Sequence, residues 1–252
     1  MPAMYKSIYK LTVTFISLVL VNACTTSNVS NENSDSETAA RAPLDGIWIG
    51  EFDIRGRGPY DFTAVHLQDK AYAYSLKAKA MCVGTLSFDG KHLLNKYVLF
   101  VMDGGPFDWA NLTGSLDVSE AGDKTIATYF KTLNGGDTGA LKVSYSEIYD
   151  QPSSIEYIQG EWTYTDRDQL TSTISIDEEG VLTGNDSDGC EYLGYLDIID
   201  PKYSVYQIKL EVSECASVND DYEGVAFLNE KTLAVQIANK NYALFFAFEK
   251  TP

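Results

Sequence analysis

The sequence predicts an all-β protein: two tandem antiparallel meander barrels of about eight strands each, set behind a leader and a polar tether. Three observations carry this prediction. Aromatic residues are plentiful, with 17 Tyr, 11 Phe and 3 Trp among 252 residues, and flat rings suit a pleated, half-buried surface. Apolar and polar residues alternate with period two over several stretches, the mark of a strand with one buried and one wet face. A Gly-x-Trp opening also recurs 114 residues apart, as Gly46-Ile47-Trp48 and Gly160-Glu161-Trp162, which reads as duplication of one unit. With 44% hydrophobic residues the chain can bury a substantial core. Its 19 basic against 36 acidic residues, a charge of -17, argue against nucleic acid as a partner, because phosphate binding needs the opposite field.

Residues 1–23 read as a leader. Lys6 and Lys10 supply a positive start, and the apolar run from Leu11 to Val21 is too short to span a bilayer. The run ends in Val21-Asn22-Ala23-Cys24. This resembles the lipobox of bacterial lipoproteins, although Asn22 is unusual there and Val21 stands where leucine is commonest. The resemblance implies that Cys24 becomes the acylated N-terminus and that the protein is held to a membrane through its lipid anchor. In those families aspartate after the cysteine favours the inner membrane. Thr25 stands here, which implies the outer membrane.

Residues 24–43 are expected to form a flexible tether. From Thr25 to Pro43 there is no aromatic residue, and Val29 is the one β-branched aliphatic among Ser, Thr, Asn, Asp and Glu. Such a composition buries too little apolar area to offset the entropy of ordering. The stretch would span roughly 25 Å in the root-mean-square sense. Loss of Lys6 and Lys10 with the leader leaves 17 basic against 36 acidic residues, or -19. A body so acidic stands off an anionic lipid surface.

The first unit is placed at 44–150 and the second at 158–252, with the boundary in the Pro-containing stretch after Tyr145. Leu44 and Ile158 each stand two residues before a Gly-x-Trp, and Cys82-Val83-Gly84 is echoed by Cys190 and Gly194 with looser spacing. In the second unit Ile174 and Ile176 alternate with Thr173 and Ser175, and Glu179-Gly180 turns the chain before Leu182. Tyr206, Ile208, Leu210 and Val212 alternate with Gln207, Lys209 and Glu211, and Asn239-Lys240-Asn241 feeds the last strand. No helix is expected. Eight strands suffice to close a barrel, and closure removes exposed edges. Each unit is expected to hold a core of its own.

The Gly-x-Trp of a first strand followed by a meander is similar to barrels of the lipocalin and avidin type. That resemblance implies a structural role for Gly46, Trp48, Gly160 and Trp162, each tryptophan plugging one end of its barrel. The sequence departs from lipocalins in lacking a C-terminal helix and an arginine near either last strand. Ser144 to Trp162, with Gly189-Cys190-Glu191-Tyr192 and Ile199-Asp200-Pro201, resembles a family of uncharacterised bacterial exported proteins, and this resemblance brings no activity with it.

With Cys24 acylated, three cysteines are left. Cys190 and Cys215 flank the long hairpin from Tyr192 to Val212 and are expected to pair in an oxidising compartment, with a stabilisation of roughly 3.5 kcal/mol on the chain-entropy account. Cys82 then stays as a buried free thiol. Spacing by itself leaves a link from Cys82 to either partner open.

Catalytic and metal-binding patterns are missing from the sequence. His66, between Val65 and Leu67, reads as a strand-surface residue, and His92 follows the turn Asp89-Gly90-Lys91. No triad, nucleophile elbow or HExxH is present. The stretch Asn185-Asp186-Ser187-Asp188-Gly189 fails the calcium-loop pattern and reads as a solvated turn. Tyr72, Tyr74, Tyr97, Tyr192, Tyr195, Tyr203 and Tyr206 suit either a barrel wall or a binding cavity. The expectation is a noncatalytic binding or interaction module at the cell envelope, with no cofactor and no metal. The alternative is a periplasmic inhibitor or immunity protein against a basic secreted toxin or hydrolase. Expected partners are the membrane through the lipid anchor and a basic protein or small ligand.

Overall fold

The computed structural model describes residues 44–119, 121–166 and 169–251. The leader, Cys24 and the tether lie outside the described residues. The first eight strands are β1 (Gly46–Ile54), β2 (Arg57–Leu67), β3 (Lys70–Ser75), β4 (Ala80–Phe88), β5 (Leu93–Val101), β6 (Pro106–Val118), β7 (Lys124–Thr132) and β8 (Thr138–Ser146). The next eight are β9 (Gly160–Thr165), β10 (Thr171–Ile176), β11 (Val181–Asp186), β12 (Glu191–Ile198), β13 (Val205–Ser213), β14 (Asp220–Asn229), β15 (Thr232–Ala238) and β16 (Ala243–Lys250). Each set is an antiparallel meander closed on itself, β8 pairing with β1 and β16 with β9. The protein is therefore all-β with two tandem eight-stranded barrels, as the alternation implies.

The two barrels share topology and register. Trp48 pairs across its strand with Ala64, and Trp162 with Ile174. Trp48 donates its indole N–H to the Leu44 carbonyl at 3.0 Å, and Trp162 donates to the Ile158 carbonyl at 2.7 Å. Both indoles are buried at the end where their barrel begins. Gly84 of β4 and Gly194 of β12 also correspond: a methyl group at either would press on a neighbouring backbone carbonyl, Lys96 O at 2.6 Å or Lys209 O at 2.3 Å. The glycine lets the strand bend over its neighbour at the same corner of each barrel. The cysteine echo has no such basis, because the register sets Cys82 opposite Tyr192 in the duplication and Cys190 opposite Ala80.

One helix interrupts the expected all-strand chain. It is α1 (Ile155–Ile158), a single turn whose first amides meet the Ser154 hydroxyl through Glu156 N at 3.3 Å. It sets Ile158 under the Trp162 indole. The stretch between the barrels is packed: Tyr149 is buried and stacks on Tyr203 with ring centroids 4.6 Å apart, and Tyr206 donates its hydroxyl to Ser154 O at 3.0 Å. Cys190, just before β12, is disulfide-bonded to Cys215, just after β13, so the bond closes the end of that hairpin. Cys82 is a free thiol.

A third body of apolar contact lies between the barrels, which belong to one compact unit. Outward residues Ile47, Val65, Tyr72, Met81 and Phe100 of the first barrel are buried together with Val205, Val225, Phe227, Ala234 and Phe245 of the second. Tyr74 meets Phe245 ring to ring at 4.3 Å, Phe245 N donates to Asp103 Oδ1 at 2.9 Å, and Lys70 pairs with Glu223 at 2.8 Å. Each unit has a lumen core of its own, as expected. The second unit also hides the outer faces of β14, β15 and β16 against the first, which period-two reading cannot show.

Candidate functional site

Matched registers give each lumen position of one barrel a counterpart in the other, and the side chains differ in size. Ala64, Ala71, Cys82 and Ala110 of the first barrel stand where the second has Ile174, Leu182, Tyr192 and Tyr222. Leu141 and Val143 stand where it has Phe246 and Phe248. In the second barrel these rings fill the lumen, Phe246 stacking on Phe248 at 5.2 Å and meeting Tyr192 at 6.0 Å. In the first barrel, smaller at these six positions though larger at Phe62, Leu112 and Phe130, which match Ser172, Gly224 and Ile237, a cavity of about 210 Å3 remains. By the measure on which one water needs about 10–15 Å3, it has room for a molecule of roughly 15 to 20 heavy atoms.

The cavity runs from Trp48 and His66 at one end to Ile54, Ala78, Phe107 and Asp137 at the other. Its wall is chiefly apolar, with Phe52, Phe62, Leu86, Leu112 and Phe130 among the larger groups. Around the mouth, Leu76, Phe107 and Leu133 are exposed to water. Two carboxylates hold the mouth loops. Asp61 accepts from the amides of Leu76 and Lys77 at 2.9 and 2.8 Å and from the Ser75 hydroxyl at 3.2 Å; burial works against its ionisation, but these donors outweigh it and hold the carboxyl below its ordinary range. Asp108 accepts from the amides of Gly135, Trp109 and Asn134, which likewise keep it low. Arg55 bridges to Asp137 at 2.6 Å and ties the turn after β1 to the loop after β7.

The polar groups of this lumen also differ from those of its twin. His66, Asn95 and Tyr97 occupy the positions of Ile176, Ile208 and Leu210. His66 is buried and borders the cavity, which corrects its reading as a strand-surface residue: β2 turns it inward beside Ala64. Its Nε2 lies 3.3 Å from Leu86 O and its Nδ1 3.4 Å from Asp45 Oδ1. His66 and Tyr97 sit in one row across β2 to β5, separated by Ala71 and Gly84, and the Tyr97 ring lies over Gly84, where a methyl group would stand 2.8 Å from its Cδ1. The Asn95 carbonyl oxygen accepts from Thr85 Oγ1 and from Lys96 N, and its buried amide nitrogen stands beside the Tyr97 phenol oxygen. Burial pushes the Tyr97 phenol well above its usual range, with the nearby Cys82 adding to the shift. Cys82 exposes what surface it has to the lumen, and burial pushes its thiol up to about 12, so it carries no thiolate at neutral pH.

Of the other tyrosines singled out in the sequence, Tyr74 borders the cavity at the contact between barrels, and Tyr72 and Tyr195 face a broad cleft there. That cleft also presents Trp109, Leu193, Lys209 and Glu223. Tyr192 fills the second lumen, its hydroxyl donating to Asp186 Oδ2 at 2.8 Å. Asp186 further accepts from the amides of Asp188 and Cys190, closing the turn that carries Gly189. His92 is exposed beside Asp89, the two 3.4 Å apart. The Trp48 and Trp162 rings are covered by a pair that sequence reasoning missed: Lys250, on the last strand, holds its ammonium 5.2 Å from the Trp162 ring, and at the matching position Tyr145 meets Trp48 edge-on at 5.6 Å. With no arginine near either last strand, lysine supplies the cation over the ring in the second barrel.

The fold and lumen define a class: a twin meander-barrel protein with one filled and one hollow barrel. Comparison with known proteins finds no matching family model, no matching curated protein and no matching solved structure.

Proposed function

We propose that this chain is an envelope lipoprotein, held at the outer membrane through Cys24, whose first barrel binds a small apolar molecule without acting on it chemically. One observation carries the binding reading. Two barrels of equal strand number and register differ in their lumen side chains so that one is solid and the other has a cavity of about 210 Å3. A void of this size lowers stability unless something occupies it, and apolar concavities with a few polar groups are where small molecules bind. The noncatalytic reading is supported by the state of the lumen's reactive groups: Cys82 is held as a thiol and His66 is tied to Leu86 O.

The two halves of the reading are tested separately. The uncharged probe N-phenyl-1-naphthylamine should bind the full chain saturably with a rise in fluorescence. Ala64→Ile with Ala110→Tyr, which brings in the residue types of the solid barrel, should abolish that binding while holding or raising the urea midpoint. Undiminished binding by the doubly filled protein would show that the lumen is not the site. The anchor rests on the leader, the lipobox-like Val21-Asn22-Ala23-Cys24 and Thr25. In cells given a fatty-acid analogue, Cys24→Ser should remove both label and membrane association; unchanged labelling would refute acylation at this cysteine.

A further inference from the structure

Polar groups inside an apolar lumen are costly unless they are partnered. The hollow barrel nevertheless carries Asn95 and Tyr97 where its twin has Ile208 and Leu210. The twin shows that this register accepts aliphatic residues at both positions, so closing the barrel does not require the amide or the phenol. Asn95 has spent its oxygen on Thr85 and Lys96, and its buried amide, behind the cavity lining, stands beside the Tyr97 phenol oxygen. Tyr97 borders the cavity, its hydroxyl held protonated beside that amide. With the Asn95 amide bonded to its oxygen, the phenol keeps its O–H for a partner inside the cavity.

The lining contains no lysine or arginine; His66 and Asp137 are already engaged with Leu86 O and Arg55, and burial keeps Tyr74, Cys82 and Tyr97 protonated. An anionic head drawn into this lumen would meet no cation, which makes its burial unfavourable. A group that only donates hydrogen bonds would leave the Tyr97 O–H without an acceptor. We infer that the ligand of the first barrel is an uncharged apolar molecule bearing one hydrogen-bond acceptor, such as the carbonyl of a ketone or ester, received by the Tyr97 hydroxyl with Asn95 set behind it. This rests on the reading of the lumen as a binding site.

The test uses the full chain and three probes of equal chain length: 2-tetradecanone, tetradecane and myristate, each competing with N-phenyl-1-naphthylamine. Wild type should prefer the ketone to the alkane by about tenfold, the scale of one net hydrogen bond, and should bind myristate more weakly than the ketone. Tyr97→Phe with Asn95→Ile should remove the preference for the ketone and leave alkane binding equal or stronger. Tyr97→Phe alone, which keeps the ring, should already remove most of it. Equal binding of ketone and alkane by wild type, tighter binding of myristate, or a preference that survives both substitutions would each overturn the assignment while leaving the lumen as a site. Binding of none of the three, nor of the naphthylamine, would overturn the binding reading itself.

Discussion

Replacing Trp162 with alanine is expected to cost about 5 kcal/mol, and replacing Trp48 about 3 kcal/mol, the two ends of the range for a buried tryptophan. The indoles are equivalent in strand, register and hydrogen bond. They differ in what surrounds them. Trp162 closes a lumen packed by Ile174, Leu196, Phe246 and Phe248 and is covered by the Lys250 ammonium. Its removal leaves a void that a rigid surround cannot fill, together with an uncapped Ile158 carbonyl. Trp48 already borders a cavity, so fewer contacts are lost and its neighbours have room to relax. Urea unfolding of the two variants reads the difference directly. A Trp48→Ala cost equal to or above that of Trp162→Ala would contradict the contrast between hollow and filled barrels.

The second barrel expressed alone, residues 158–252, is expected to be insoluble or molten despite its filled lumen. Cutting away the first barrel exposes Val205, Val225, Phe227, Ala234 and Phe245 together on one side, a contiguous apolar patch of the kind that drives association. Replacing Val225, Phe227 and Phe245 with threonine should bring the fragment back to a soluble state with one cooperative transition by circular dichroism, because threonine suits a strand and tolerates water. A native-sequence fragment that is soluble and unfolds cooperatively would show that the contact between barrels is dispensable.

Much of the fold was legible because a barrel strand announces itself by alternation. Ile174 and Ile176, or Ile208, Leu210 and Val212, mark inward faces without any knowledge of their neighbours. The pairing of Cys190 with Cys215 followed from the hairpin between them. The site was less legible. Ala64, Ala71 and Ala110 look like ordinary small residues of a strand, and they signify a cavity only once the register sets them against Ile174, Leu182 and Tyr222. The Gly-x-Trp repeat held the key to that alignment, but carrying it further along the chain needs the strand pairings. The outer faces of β14 to β16 escaped for a related reason: strands buried on both sides lose their alternation, and Leu233 to Ala238 reads as a continuous apolar run broken by Gln236.

Emptiness has a thermodynamic weight. At about 24 cal/mol for each Å3, a void of about 210 Å3 forgoes about 5 kcal/mol of packing, comparable with the whole margin by which a small domain stays folded. A lone hollow barrel of this size would live near its melting point. Joined to a solid twin, it gains ballast: the duplicated copy that kept its aromatic filling can supply the cohesion that the other gave up to hold a guest. On that account a bound ligand should raise the transition of the whole molecule and not that of one half.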